Sequence, residues 1–133
     1  MWNNIVFSND DKIDQIEILD LFKKLSMTSW FCTLKNGFDT QIGERGCKLS
    51  SGQKQRINII RMLLAMKYHP DKLFIMDEIT SNLDKDTREL AVDLFREAFK
   101  NENMTVICIS HNEGFDKICD RKILVKDHKF KEE

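Results

Sequence analysis

The chain has 133 residues, 41% hydrophobic and 32% charged, with one proline and five glycines, a composition that suits one soluble globular unit and excludes a disordered or low-complexity segment. Its 21 basic and 22 acidic side chains leave a formal net charge of -1, which provides no broad field to draw in nucleic acid or an anionic membrane surface. Four scattered cysteines, Cys32, Cys47, Cys108 and Cys119, lack the close pairs of a zinc site and the density of a secreted scaffold, so reduced thiols in a cytosol-facing domain are expected.

The first residues are polar around a brief apolar patch, with Asn3, Asn4, Asn9, Asp10 and Asp11, and carry neither a secretory signal nor a membrane span. Over residues 12 to 26, Ile18, Leu21, Phe22 and Leu25 recur at helical spacing opposite Lys and Asp, which predicts an amphipathic helix. From Ser29 to Lys48 the period lapses into aromatics and Gly37, Gly43 and Gly46, the chemistry of loops and turns. A helix then starts at Ser50 and runs to about Met66, with Ile57, Ile60 and Leu64 on one face and Pro70 closing the unit. Lys72 to Met76 has the length and composition of a buried strand, Asp86 to Lys100 that of a helix, and Thr105 to Ile109 that of a second buried strand. A helix near Asn112 to Ile118 and a strand at Lys122 to Val125 continue the alternation, which favours a parallel sheet covered by helices. The charged tail from Lys126 is expected to fray or form a weak edge hairpin.

Two segments suit phosphate chemistry. Asp77 and Glu78 end an apolar strand, the place where open α/β sheets hold ligands, and adjacent carboxylates there can hold magnesium and polarise a water. An acidic strand end without function is the plain alternative. Ser50, Ser51, Gly52 and Gln53 at a helix start present free N–H groups and a hydroxyl to an anion, although Ser50 and Gln53 also have the spacing of a capping box. His111, after the second strand, is expected at the same sheet edge as Asp77 and Glu78, within reach of a phosphate oxygen or carboxylate. His69 and His128 read as incidental. No Gly-x-x-x-x-Gly-Lys-Ser/Thr loop occurs in the 133 residues, so the usual phosphate cradle is not encoded.

With Gly43-Glu44-Arg45-Gly46, Leu49-Ser50-Ser51-Gly52-Gln53, the strand ending Asp77-Glu78, Ser81-Asn82-Leu83-Asp84 and His111 in this order, the chain resembles the nucleotide-binding domain of an exporter-type ABC transporter. Asn4-Ile5-Val6-Phe7 is similar to the segment after the Q-loop, so the likeness covers nearly all of the chain as the latter half of such a domain. The resemblance implies a partial P-loop NTPase-like (ABC ATPase) α/β fold, a mostly parallel sheet flanked by helices. It implies one partial domain over 1–133, a helical and signature region to about residue 70 and the C-terminal part of the catalytic core beyond. By the same resemblance Ser50, Ser51, Gly52 and Gln53 form the signature motif on the nucleotide, Asp77 is the Walker B metal residue, Glu78 the general base, Asp84 the D-loop aspartate and His111 the switch histidine. Gly43 to Gly46 resembles the loop that communicates with coupling helices. Ser51 departs from the family, where glycine is usual, and Asn112 is a milder departure.

ATP and Mg2+ follow as substrate and metal, and as partners a second nucleotide-binding domain or another chain supplying Walker A, together with transmembrane domains. No nucleic acid is expected, and the location implied is cytoplasmic, at the cytoplasmic face of a membrane where a transporter partner holds it there. The parent activity is ATP hydrolysis coupled to transport, and the isolated chain is expected to hydrolyse little ATP. The alternative is a catalytically inactive ABC-like fragment serving as an interaction or regulatory partner. A soluble ABC-type ATPase of DNA repair or translation is a third reading, but Gly43-Glu44-Arg45-Gly46 and Gln53-Lys54-Gln55-Arg56 look more like transporters, and the near-neutral charge also weakens it.

Overall fold

The computed structural model describes residues 1–6, 12–43, 47–101, 103–111, 113–126 and 129–132. After a single turn, α1 (Trp2–Ile5), the first long helix is α2 (Gln15–Lys24). Asp14 caps it by accepting the Glu17 N–H at 2.8 Å, and Ile18 and Phe22, one turn apart, point into the core. The helix is shorter than the 12–26 expected, because the Asp14 cap starts it at Gln15 and Ser26, left-handed with φ of 55°, ends it. The Ser26 N–H then donates to Lys23 O at 3.2 Å and the Met27 N–H to Phe22 O at 2.7 Å, the paired bonds of a Schellman ending.

The stretch expected as loop is partly helical. It contains α3 (Thr28–Cys32) and a 3₁₀ turn at Gly37–Asp39. Aromatic packing orders it: Phe38 lies 4.8 Å from Phe31, 5.5 Å from Trp2 and 6.0 Å from Phe22, ring centre to ring centre. These contacts join positions far apart in sequence, so local periodicity does not register them.

Next comes α4 (Ser51–Tyr68), on which α1, α2 and α5 (Lys85–Ala98) all pack. Its buried residues therefore extend beyond the expected stripe to Ile59, Leu63 and Met66. Strands β1 (Leu73–Asp77) and β2 (Thr105–Ile109) pair in parallel, Leu73 opposite Thr105 through Asp77 opposite Ile109, with α5 as the crossover between them. Phe74 and Met76 face the helices and are buried. Leu73, Ile75, Ile107 and Ile109 on the other face are 50–59% exposed, so among the described residues the helices cover one face of this sheet and not both.

The alternation does not continue into that sheet. After the short α6 (Glu113–Asp116), β3 (Ile123–Lys126) pairs antiparallel with β4 (Lys129–Glu132), forming a separate hairpin. The tail thus adopts the hairpin alternative, and β3 is not a third parallel strand. The architecture is a mixed α/β unit with a small parallel sheet and helices.

Candidate functional site

Glu78 is the first residue beyond β1. Its N–H donates to Ile109 O at 2.9 Å, extending the ladder by one bond, and its φ of 47° then turns the chain out of the sheet. A left-handed backbone at a non-glycine residue is unfavourable and persists only where its surroundings hold it. Here the Glu78 carbonyl accepts the Ser81 N–H at 3.1 Å and the Gln55 amide Nε2 at 3.0 Å. The turn brings the carboxylate to His111, which follows β2 at the same sheet end, with 3.4 Å between His111 Nε2 and Glu78 Oε1. The imidazole is 96% exposed, and the approach lacks the alignment of a hydrogen bond. Glu78 Oε1, shielded from solvent, is left as an acceptor with no hydrogen-bond partner among the described residues. Asp77, on the strand itself, is exposed.

Ser50 caps α4 in a full capping box: its Oγ accepts the Gln53 N–H at 3.2 Å, and Gln53 Oε1 accepts the Ser50 N–H at 2.9 Å. The structural reading of this pair is therefore realised. Ser51 and Gly52 occupy the first helical positions, where N–H groups precede the first intrahelical bond and point out of the helix end. The Ser51 side chain is exposed, and a Cβ at Gly52 would meet Asn82 O at 3.6 Å, an ordinary contact. Asp84 caps α5, accepting the Thr87 N–H and hydroxyl at 2.9 Å each, and these bonds hold its carboxyl below the usual carboxylate range. Arg56 reaches the same carboxylate at 3.0 Å. Glu44, Arg45 and Gly46 lie outside the described residues, as do Phe7, Asn112 and His128.

Gln55, within the transporter-like run Gln53-Lys54-Gln55-Arg56, has no role of its own assigned from the sequence. It is 9% exposed, and its Oε1 accepts the Asn82 N–H at 2.6 Å while Nε2 bonds Glu78 O and, at 3.1 Å, Ser81 Oγ. The available signal was a polar residue in phase with Ile59, Leu63 and Met66 on a buried stripe.

No group of three or more His, Cys, Asp or Glu side chains is poised for a metal among the described residues. Magnesium beside a nucleotide needs only one or two carboxylates, phosphate oxygens filling the rest of its shell. Asp77 and Glu78, with the unsatisfied Glu78 Oε1, fit that demand. A cavity of about 390 Å³ opens next to them between α4 and β1, lined by Gln55, Asn58, Arg61, Met62, Asp77 and Glu78 among others. Among the described residues no helix is long and apolar enough to cross a membrane.

No protein-family model matches the chain. The whole chain is similar, at 31% identity over 133 residues, to 19% of the mitochondrial iron-sulfur clusters transporter ATM1 of Saccharomyces cerevisiae. It is 38% identical over 134 residues to the ATP-dependent lipid A-core flippase of Desulfotalea psychrophila, covering 98% of the chain and 22% of that protein. Among solved structures, a bacterial Atm1-family ABC exporter with ATP bound superposes at a TM-score of 0.73 and 29% identity, over 97% of this chain and 22% of that one. The chain spans about a fifth of the length of these relatives.

Proposed function

We propose, from the premise that this chain is homologous along its whole length to ABC exporters, that it is the C-terminal part of an exporter-type nucleotide-binding domain of P-loop NTPase type. Its task is to contribute the signature segment and the Walker B carboxylates to ATP hydrolysis coupled to transmembrane transport. The observation that carries this reading is the 3.4 Å meeting of Glu78 with His111 at the carboxyl end of a parallel β-α-β unit.

In this reading Glu78 takes a proton from the attacking water, and His111, exposed beside it, holds that carboxylate and a phosphate oxygen in register. Asp77 would hold the magnesium, which would supply charge to neutralise the phosphates. The Ser50 hydroxyl and the outward N–H groups of Ser51 and Gly52 face the terminal phosphate of a nucleotide seated mainly on a partner domain. The serine at 51 leaves that contact available, since its side chain is exposed and the donor is backbone. A second nucleotide-binding domain or a chain supplying the Walker A loop, and transmembrane domains, complete the assembly at the cytoplasmic face of a membrane. The whole unit acts as one domain, residues 1 to about 70 bearing the signature and the remainder the catalytic edge.

The test is ATP hydrolysis by the purified chain, alone and mixed with a domain that carries Walker A. The chain alone should bind magnesium-ATP weakly and turn it over negligibly, lacking the lysine and backbone donors of the cradle. The mixture should hydrolyse ATP faster than the Walker A domain alone, and Glu78→Gln should lower that rate by ~100-fold or more, the usual contribution of a general base. A complex without hydrolysis would instead establish the inactive-partner alternative. Hydrolysis indifferent to Glu78→Gln would remove Glu78 from its role.

A further inference from the structure

Gln55 is the only residue with a polar side chain among the buried residues of α4. It is placed so that one planar amide both donates and accepts across the gap to the turn after β1: Nε2 to Glu78 O at 3.0 Å and Ser81 Oγ at 3.1 Å, Oε1 from the Asn82 N–H at 2.6 Å. Only an amide side chain of this length meets both demands. Leucine would leave the Asn82 N–H without its partner, and glutamate would keep the acceptor while losing the donor to Glu78. The residue it grips is the one held in the left-handed region, and relaxation of that φ would swing the Glu78 side chain away from His111. A second tie lies one residue on, where Arg56 meets Asp84 Oδ2 at 3.0 Å and Thr87 Oγ1 at 3.1 Å.

We infer that Gln55 is a positioning residue: it clamps the 78–82 turn to α4, so that the Glu78 carboxylate and the helix that begins at Ser50 are held as one body. The inference rests on the nucleotide-binding reading for its catalytic consequence, and on hydrogen bonding alone for its structural one. Both polar ends of the Gln55 side chain are engaged by the 78–82 turn. Gln55 acts through the backbone of Glu78.

Two variants, Gln55→Leu and Gln55→Glu, and two measurements test it. In the chain alone, amide hydrogen exchange followed by nuclear magnetic resonance should show the Asn82 N–H exchanging at least ~10-fold faster in Gln55→Leu, with the interiors of α4 and α5 unchanged. Gln55→Glu, which keeps the acceptor, should retain the Asn82 protection. In the mixture with a Walker A domain, both variants should lower kcat by ~10- to 100-fold, the usual consequence of a small misplacement of a catalytic group, while KM for ATP stays near its original value.

Unchanged Asn82 exchange in Gln55→Leu would overturn the inference, as would a kcat equal to that of the unsubstituted chain. Faster exchange throughout α4 and α5 in both variants would also overturn it, making Gln55 a general packing residue. If the unsubstituted mixture hydrolyses no ATP, the nucleotide reading fails, and the exchange pattern at Asn82 still decides whether Gln55 holds the turn.

Discussion

Cys108 lies in β2 opposite Met76, on the face turned to the helices, and burial, with Cys119 and Glu78 nearby, pushes its thiol up to about 12 from an ordinary 9.0. The thiolate is the reactive species, so both access and ionisation protect this cysteine. At mildly alkaline pH, Cys32 and Cys47, which are exposed, should be alkylated first, and Cys108 should react ~100-fold more slowly until denaturant is added. Peptide mapping after timed alkylation reads this directly, and equal rates would mean that the β1–β2 sheet is open in solution. The same shift has a sign in stability. Below pH 9 the thiol is protonated in both folded and unfolded chains. Between about 9 and 12 the unfolded chain releases its proton first, so stability falls as pH rises through that window. The difference in unfolding free energy between the unsubstituted chain and Cys108→Val should therefore change above pH 9 and stay flat below it.

Among the elements, α2 shows what a local ending is worth. Its Schellman turn places Ser26 at φ of 55°, a conformation that glycine adopts without the steric penalty of a Cβ. Ser26→Gly should raise the unfolding free energy by about 0.5–1 kcal/mol, measured by denaturant titration, with no change in the cooperativity of the transition. A loss would show that the serine hydroxyl holds something the backbone geometry does not reveal. The elements that could be read from sequence are those whose instructions are local in this way. The start of α4 follows from Ser50 and Gln53, and β1 and β2 follow from short apolar runs next to turn residues, so the meeting of the strand ends that carry Glu78 and His111 was accessible from the order of elements. What could not be read depends on distant partners. The helix α3 and the turn at Gly37 are ordered by rings from residues 2, 22 and 38, whereas β3 pairs locally with β4 in the hairpin that the charged tail offered as one alternative. The left-handed φ of Glu78 shares this character: a non-glycine residue there gives no warning until the turn is seen packed on α4, whereas Gln55 shows only as a polar residue in phase with a buried stripe.

For the molecule as a whole, the decisive feature is the uncovered face of the parallel sheet. Ile75 lies opposite Ile107, with Leu73 on one side and Ile109 on the other, all half or more exposed. Parallel sheets are ordinarily buried on both faces, and among the described residues β1 and β2 each pair with one strand, which leaves an open edge beside an apolar surface. Covering these four side chains is worth ~1 kcal/mol each, a sum comparable to the net stability of a small domain. The chain by itself should therefore associate with copies of itself or bind an apolar dye, and a partner that supplies the missing cover should suppress both. Sedimentation velocity over a wide concentration range, with dye fluorescence alongside, measures this. The paired substitution Ile75→Lys with Ile107→Glu places opposite charges side by side on the face and removes its apolar centre. It should return the chain to a monomer and abolish dye binding while circular dichroism stays the same, because neither side chain faces the helices. Association that persists in this variant would move its origin elsewhere, to the open edge of β2 or to the exposed Ile123 and Val125 of the hairpin. A dilute, dye-negative monomer of the unsubstituted chain that unfolds in one cooperative step would show that the bare face needs no partner.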